Sequence, residues 1–253
     1  YTVYTPYSRK WKNTLMAEDY SFFKSNFNQF FQQDFSDILS LKDIGFEKTD
    51  SVFEDPELDT VIITGYDKYR DFPALQRTTQ LGVALRFGTI SIRRCAALAL
   101  KYNETWLNEL IWREFFMQIL YHFPEVADHS FRPRYDLVEW RNNEEEFELW
   151  YNGKTGMRQL NETGYMHNRV RMIVASFLCK HLLIDWRWGE AYFAGKLNDY
   201  DLSANNGNWQ WAAGCGCDAV PYFRIFNPTI QAKKFDKNLV YIKKWLPEYG
   251  TSD

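Results

Sequence analysis

Apolar positions recur at three- and four-residue spacing along most of this chain, which is the period of an amphipathic helix. Asp19 to Phe35 carries Phe23, Phe27, Phe30, Phe31 and Phe35 at that spacing and predicts a helix. Thr89 to Leu100 runs through Ala and Leu after Ser91, a plausible N-cap whose hydroxyl can accept a first-turn N–H. Trp106 to Phe123 reads as a long amphipathic helix stopped by Pro124. Met166 to Leu183 predicts another, followed by Asp185-Trp-Arg-Trp188 and a helix from Gly189 to Leu197. Between Asn198 and Gly216 the sequence turns to Asn, Gly, Asp and Ser and reads as an irregular loop. Strand-period alternation persists nowhere. The expectation is an all-α fold: a single domain over residues 1–253, with 1–60 an acidic entrance segment packed on it.

Composition narrows the class. With 45% hydrophobic residues and a net charge of only −3, disorder is excluded. No apolar run approaches a membrane span; Met172 to Leu178 is among the longest. Four cysteines and no visible signal peptide point to a reducing compartment, so a cytoplasmic protein is expected. The chain opens on Tyr1, which suggests a fragment of something longer. Residues 1–60 hold six basic against eleven acidic side chains, and the remainder twenty-four against twenty-two. A bulk basic footprint for nucleic acid is absent, so DNA contact needs a local patch such as Arg132, Arg134, Arg169, Arg171, Lys233 and Lys234. The aromatic fraction of 18%, including 10 Trp, favours a stacked cofactor or nucleobase beyond what a core requires.

Several chemistries drop out. Cys215-Gly-Cys217 lacks a second cysteine pair, and His122, His129, His167 and His181 are scattered, so no metal is expected. Glu144-Glu145-Glu146 reads as a solvated face. Nucleophile elbows, phosphate loops and dinucleotide fingerprints are missing. Three segments are more informative. Helical spacing sets Trp106, Glu109 and Arg113 along one face with Trp112 nearby, and a Glu and an Arg facing inward need a polar ligand or each other. Asn168, Arg171, Met172 and Ala175 share a second face. Asn198 to Trp211 crowds two aspartates, amides and two Trp into one stretch.

These residues fall in segments that closely resemble the FAD-binding domain of the DNA photolyase/cryptochrome family. The segments are YTPYSRKWK at 4–12, Thr78 to Ser91, NELIWREF at 108–115, TGYMHNRVRM at 163–172, LLIDWRWGEAYFA at 182–194 and ANNGNWQWAAGCGCDAVPYFRIFNP at 204–228. Nearly the whole chain is covered, and among branches it looks most like the class I cyclobutane pyrimidine dimer photolyases. The resemblance implies flavin contacts at Tyr66, at the turn Thr78, Thr79, Gln80, Leu81 and Gly82, and at Trp106, Asp199 and Asp201. That turn would offer hydroxyls and N–H groups to a pyrophosphate; Gly82 replaces the usual serine, so one hydroxyl is lost. Arg171 and Asp199 match an ion pair over the flavin. Asn205 matches the position facing its central-ring nitrogen, where an amide can accept an N–H. Glu109, Trp112, Asn168, Met172 and Trp211 match positions around a flipped dimer, and Arg70, Arg113 and Gln231 match DNA-facing positions. Trp209, Trp186 and Trp140 match an electron-transfer triad from flavin to surface.

The implied activity is light-driven repair of cyclobutane pyrimidine dimers by a lyase that uses reduced FAD, with damaged DNA as partner, no membrane and a monomeric chain. Two departures accompany it. No α/β antenna domain is present in this sequence, so an antenna chromophore is not expected. Relatives also place about seven residues between Gly153-Lys-Thr-Gly156 and Met157-Arg-Gln-Leu, so residues missing at 156/157 and closed-up numbering are expected. The rivals are a cryptochrome-type light sensor, which has no need of the dimer pocket, and a (6-4) photolyase, which would pair histidines near 167–171. A cofactor-free helical interaction module is the third. The fold should enclose a cavity floored by 198–211 and walled by helices 106–123 and 166–183, the largest polar-lined pocket of the protein.

Overall fold

A computed structural model describes the chain except for residues 22–25, 33, 35, 50–52, 54, 154, 220 and 251–253. Among the described residues there are thirteen α-helices and no strand. They are α1 (Tyr4–Thr14), α2 (Thr60–Thr64), α3 (Tyr66–Tyr69), α4 (Gly82–Phe87), α5 (Ile92–Tyr102), α6 (Glu104–His122), α7 (Glu144–Tyr151), α8 (Gly156–Thr163), α9 (Asn168–Lys180), α10 (Trp186–Ala194), α11 (Leu202–Ala213), α12 (Pro228–Phe235) and α13 (Val240–Trp245).

Local chemistry accounts for the boundaries. Ser91 caps α5 by accepting from the Arg94 N–H, and Asn103 caps α6 by accepting from Trp106. α6 ends at His122 because Pro124 follows and opens a short 3-10 turn. Asp185 caps α10 through the Arg187 N–H, so that helix starts at Trp186, three residues before the expected Gly189. The acidic run at 144–146 forms the first turn of α7, where negative charge suits the helix dipole. Glu144 and Glu145 are exposed there, while Glu146 pairs with Arg141 at 2.9 Å.

Two expectations are corrected. Residues 202–213, read as loop, form α11, which packs on α6, α9 and α10. Its turn-forming residues are tolerated because each is satisfied or required. Asp201 caps the start, Asn206 and Gln210 bond to the backbone of the segment after α6, and Gly207 lets α6 approach closely. A Cβ on Gly207 would sit 2.2 Å from Phe116 Cδ1.

The helix expected over 19–35 is not formed. The described part holds only 3-10 turns at Ala17–Tyr20 and Phe27–Gln29, with Phe27, Phe30 and Phe31 on the surface. Phe23 and Phe35 lie outside the described residues. Period alone cannot hold a helix whose apolar stripe meets no partner surface. Within 1–60, α1 is the part that packs against α6.

Gly156 and Met157 open α8, with Met157 buried against α9. Thr155, just before them, takes a positive φ of 69°, a strained conformation for a β-branched residue.

Candidate functional site

α9 and α11 cross so that their polar residues meet. Between them and α10 lies a cavity with about 590 Å³ of empty space, partly open to solvent. Asn168, Arg171, Met172, Asp199, Asp201, Asn205, Trp209 and Trp211 line it, eight of the residues singled out from sequence. Arg171 clamps Asp199 with bonds of 2.9 and 3.1 Å and donates Nε to the Met166 carbonyl at 2.7 Å. One guanidinium nitrogen is shared between both carboxylate oxygens of this half-buried pair, and the Nε bond to Met166 holds the guanidinium in place. Asn205 commits its Nδ2 to the carbonyl and carboxylate oxygens of Glu190, at 3.1 and 2.9 Å, which leaves its amide oxygen as an acceptor for the cavity. Burial pushes the Glu190 carboxyl above its ordinary value, and the bond from Asn205 pulls it back.

A second cavity, about 1030 Å³, borders the first through Tyr165, whose ring lies 5.8 Å from the Arg171 guanidinium. This corrects the expectation that the pocket beside α11 would be the largest polar one. Thr78, Gln80, Gln159, His167, Tyr241 and Lys244 contribute to its wall. His167 is only 4% exposed, and its Nδ1 accepts from the Arg169 N–H at 3.1 Å. Its Nε2 is therefore the donor of a neutral ring, buried without a partner. Desolvation pushes its pKa down to about 4, against the pull of Asp71 and with help from Arg169, Arg171 and Arg70. Gly82 brings the 78–82 turn against Asp199, since a Cβ there would come within 2.6 Å of Asp199 Oδ2. A serine could not make that approach without a shift, which gives the departure at this position a physical reason.

The two α6 charges, expected to need a polar ligand or each other, each have a partner on another element. Glu109 pairs with Arg70, not with Arg113, which donates to the Leu85 carbonyl at 3.2 Å. Burial pushes Glu109 above the usual carboxylate value, with the Arg70 charge opposing. Tyr66 stacks under Arg70 at 5.3 Å, and burial raises its phenol pKa further than Glu109 does. Trp106 is buried in the cluster formed by α2, α5 and α6. Trp112 is half-buried, with Tyr4 stacked on it.

The basic patch expected from sequence is partly spent inside the fold: Arg169 bonds Asp71 at 2.7 Å and Arg171 bonds Asp199. Gln231 borders an apolar cavity of about 1280 Å³ between α8, α9, α12 and α13, with its Oε1 buried and unbonded.

Of the three tryptophans, Trp209 lines the first cavity and Trp186 is 1% exposed, while Trp140 is half-buried against the same apolar cluster. Gly189 admits the Trp209 ring, since a Cβ there would lie 2.2 Å from it. The Trp209 ring packs against Phe193 at 5.1 Å and Trp150 at 6.1 Å, and Arg187 lies 4.7 Å over Trp186.

Sequence reasoning missed Glu190, Tyr165 and His167. Glu190 had a usable signal, four residues after Trp186 and so on the same helical face. Among the described residues no group of three or more His, Cys, Asp or Glu converges on a metal site, and no helix is long and apolar enough to cross a membrane.

The donor set suits a flavin dinucleotide. Orphaned His167 Nε2–H, the Thr78 hydroxyl and Lys244 offer hydrogen bonds and charge to an anion on one side of the ion pair. On the other side, the free Asn205 oxygen suits a ring N–H.

Comparison with known proteins gives the same direction. Residues 106–252 match the family model described as the FAD binding domain of DNA photolyase. The chain is 50% identical over 200 residues to the deoxyribodipyrimidine photo-lyase of Escherichia coli K12, covering 72% of this chain and 42% of that protein. It is 45% identical over 242 residues to the Synechococcus enzyme of the same name, covering 84% and 50%. The crystal structure of a class III photolyase from Agrobacterium tumefaciens superimposes with a TM-score of 0.69 at 44% identity, over 74% of this chain and 42% of that one. An archaeal photolyase from Sulfolobus tokodaii, solved with two FAD molecules, gives 0.69 at 48% identity, over 73% and 44%. A Synechocystis cryptochrome gives 0.68 at 35%, over 74% and 42%. The chain thus spans half or less of the length of these relatives. A family match over more than half of the chain, at this level of identity, places it in the DNA photolyase family, in the FAD-binding domain.

Proposed function

We propose that this chain is the catalytic part of a light-driven enzyme that repairs cyclobutane pyrimidine dimers in DNA. The observation that carries the reading is one cavity where the Arg171–Asp199 pair and the Asn205 oxygen meet Asn168, Met172 and Trp211, matched to a dimer-receiving face. When bound and reduced, FAD supplies the photoexcited electron that splits the ring and then returns, so the reaction is redox-neutral overall.

The chain's own residues do the rest. Arg171 and Asp199 fix the floor of the site, and Glu190 turns Asn205 so that its oxygen faces the cavity. Glu109, held by Arg70 in a half-buried setting, meets the polar edge of the extruded bases. Flipping costs a few kcal/mol, less for a dimer that already stacks badly. Stacking on Trp112 and Trp211 at roughly 1–3 kcal/mol per base offsets much of that. Arg113 and Gln231 serve the DNA backbone. Trp209, Trp186 and Trp140 form the route by which oxidised cofactor is reduced under light; their shared apolar cluster, with Trp140 the most exposed of the three, supports it.

The deciding experiment is repair of a dimer-containing oligonucleotide by the chain with chemically reduced flavin, with and without blue light. Light-dependent recovery of intact thymines is expected. Flavin retention without repair would favour the second reading, a light sensor, which the likeness to a cryptochrome keeps open.

A further inference from the structure

α1 reaches the wall assigned to the lesion. The Tyr4 ring lies parallel to the Trp112 indole, with centroids 3.6 Å apart and planes within 3°. Its hydroxyl donates to the Asn108 carbonyl at 3.0 Å, one residue before Glu109. Its backbone N–H donates to Asp218 Oδ2 at 3.2 Å, in the segment that follows α11 and Trp211. α1 has no side-chain cap of its own at Val3, so Asp218 serves as its anion from a distance. Phe115 and Phe116 contact the same indole, both at 5.5 Å. One residue of α1 thus bonds to α6, which carries Trp112, and to the segment that follows α11.

We infer that Tyr4 is a positioning residue for lesion binding: it occupies one indole face of Trp112 and fixes the Trp112 wall against α1 and the segment that follows α11. The inference rests on the dimer-repair reading above. A free indole on a half-exposed helix face samples several rotamers, and a flat ligand must then immobilise it at a cost in affinity. A parallel phenol at van der Waals distance removes that freedom beforehand and directs a base to what remains exposed. Burial and the Glu109 carboxylate both raise the Tyr4 phenol, so its hydroxyl stays protonated and available to Asn108. Residues 4 and 112 belong to different segments, and only the fold brings their rings together.

The test is dark binding, by fluorescence anisotropy, of the full chain to duplexes of one sequence with and without a single dimer. Trp112→Ala serves as the reference and should weaken dimer binding about ten-fold. Tyr4→Leu should weaken it about five-fold while affinity for the undamaged duplex stays within about two-fold. Tyr4→Phe keeps the ring and should restore wild-type discrimination. If Tyr4→Leu discriminates as well as wild type while Trp112→Ala does not, Tyr4 is ordinary packing and the inference is overturned. Equal losses on both duplexes, or failure of Tyr4→Phe to rescue, overturn it as well. If Trp112→Ala itself binds the dimer normally, the lesion reading fails first and takes the inference with it.

Discussion

Residues 27–46 and α11 invert each other's chemistry. The first stretch sets Phe27, Phe30, Phe31, Ile38, Leu39, Leu41, Ile44 and Phe46 at the surface; the second buries Ser203, Asn206 and Gln210 at the centre of the helical packing. Apolar character did not secure burial, and amide character did not prevent it. What differs is the partner surface. α11 meets three helices, and its amides find carbonyls at fixed distances: Gln210 Nε2 donates to Val126 at 2.9 Å and to His129 at 3.0 Å, and its Oε1 accepts from the Phe131 N–H at 2.8 Å. Buried polar groups with every bond made rigidify a core rather than weaken it. Among the described aromatics of 27–46, Phe27 and Phe30 meet each other at 5.5 Å.

The contrast breaks most severely at Gly207. Any side chain there drives into Phe116, itself buried, and the first atom already falls at 2.2 Å. Gly207→Leu should cost several kcal/mol, beyond the usual range of about 1–3 for overpacking, because a whole isobutyl group must be housed. Urea unfolding should show either no folded baseline or a midpoint far below wild type. A near-normal midpoint would mean that α6 and α11 do not cross as described.

A second test uses the buried ring beside the site. The His167 pKa of about 4 lies below the ordinary 6.5, so as pH falls the unfolded chain takes up this proton before the folded one does. The stability it contributes is complete above pH 6.5 and is lost toward pH 4, at about 1.4 kcal/mol per unit. His167→Asn keeps an acceptor for the Arg169 N–H and removes the titration, so this slope should flatten in unfolding curves taken from pH 7 to 4. An unchanged slope would place the ring in contact with water.

Much of the site could be read before the fold was seen. Arg171, Met172 and Asn168 follow from helical spacing on α9, and Trp209 and Trp211 from the density of their segment. The partnerships could not be read. Glu109 pairs with Arg70, thirty-nine residues away, and Asn205 with Glu190, because α6 crosses α3 and α11 crosses α10. α11 reads as loop because Asn and Gly weigh against a helix locally, whereas the cap at Asp201 and the close approach at Gly207 weigh for it only in three dimensions.

That cap gives a smaller effect. Asp201 accepts from the Ala204 N–H at 3.1 Å, and Asp201→Ala should lower stability by about 1 kcal/mol, as loss of an N-cap does. Asp201→Asn should recover most of it. A loss several times larger would show the carboxylate doing more than starting α11.

The smallest effect belongs to the other region. Phe31 is 85% exposed, so its ring stays in water in folded and unfolded chain alike. Burial stabilises only by the difference between those two states, and here that difference is close to nothing. Phe31→Ser should therefore leave the urea midpoint within about 0.5 kcal/mol of wild type. Solubility should rise instead, because exposed apolar side chains promote association and this change removes one. The pair of readouts separates two accounts of the segment. Unchanged stability with better solubility is what an unpartnered aromatic run requires. A loss above about 1 kcal/mol would mean that the ring is buried in solution, and the contrast with α11 would then be one of degree rather than kind.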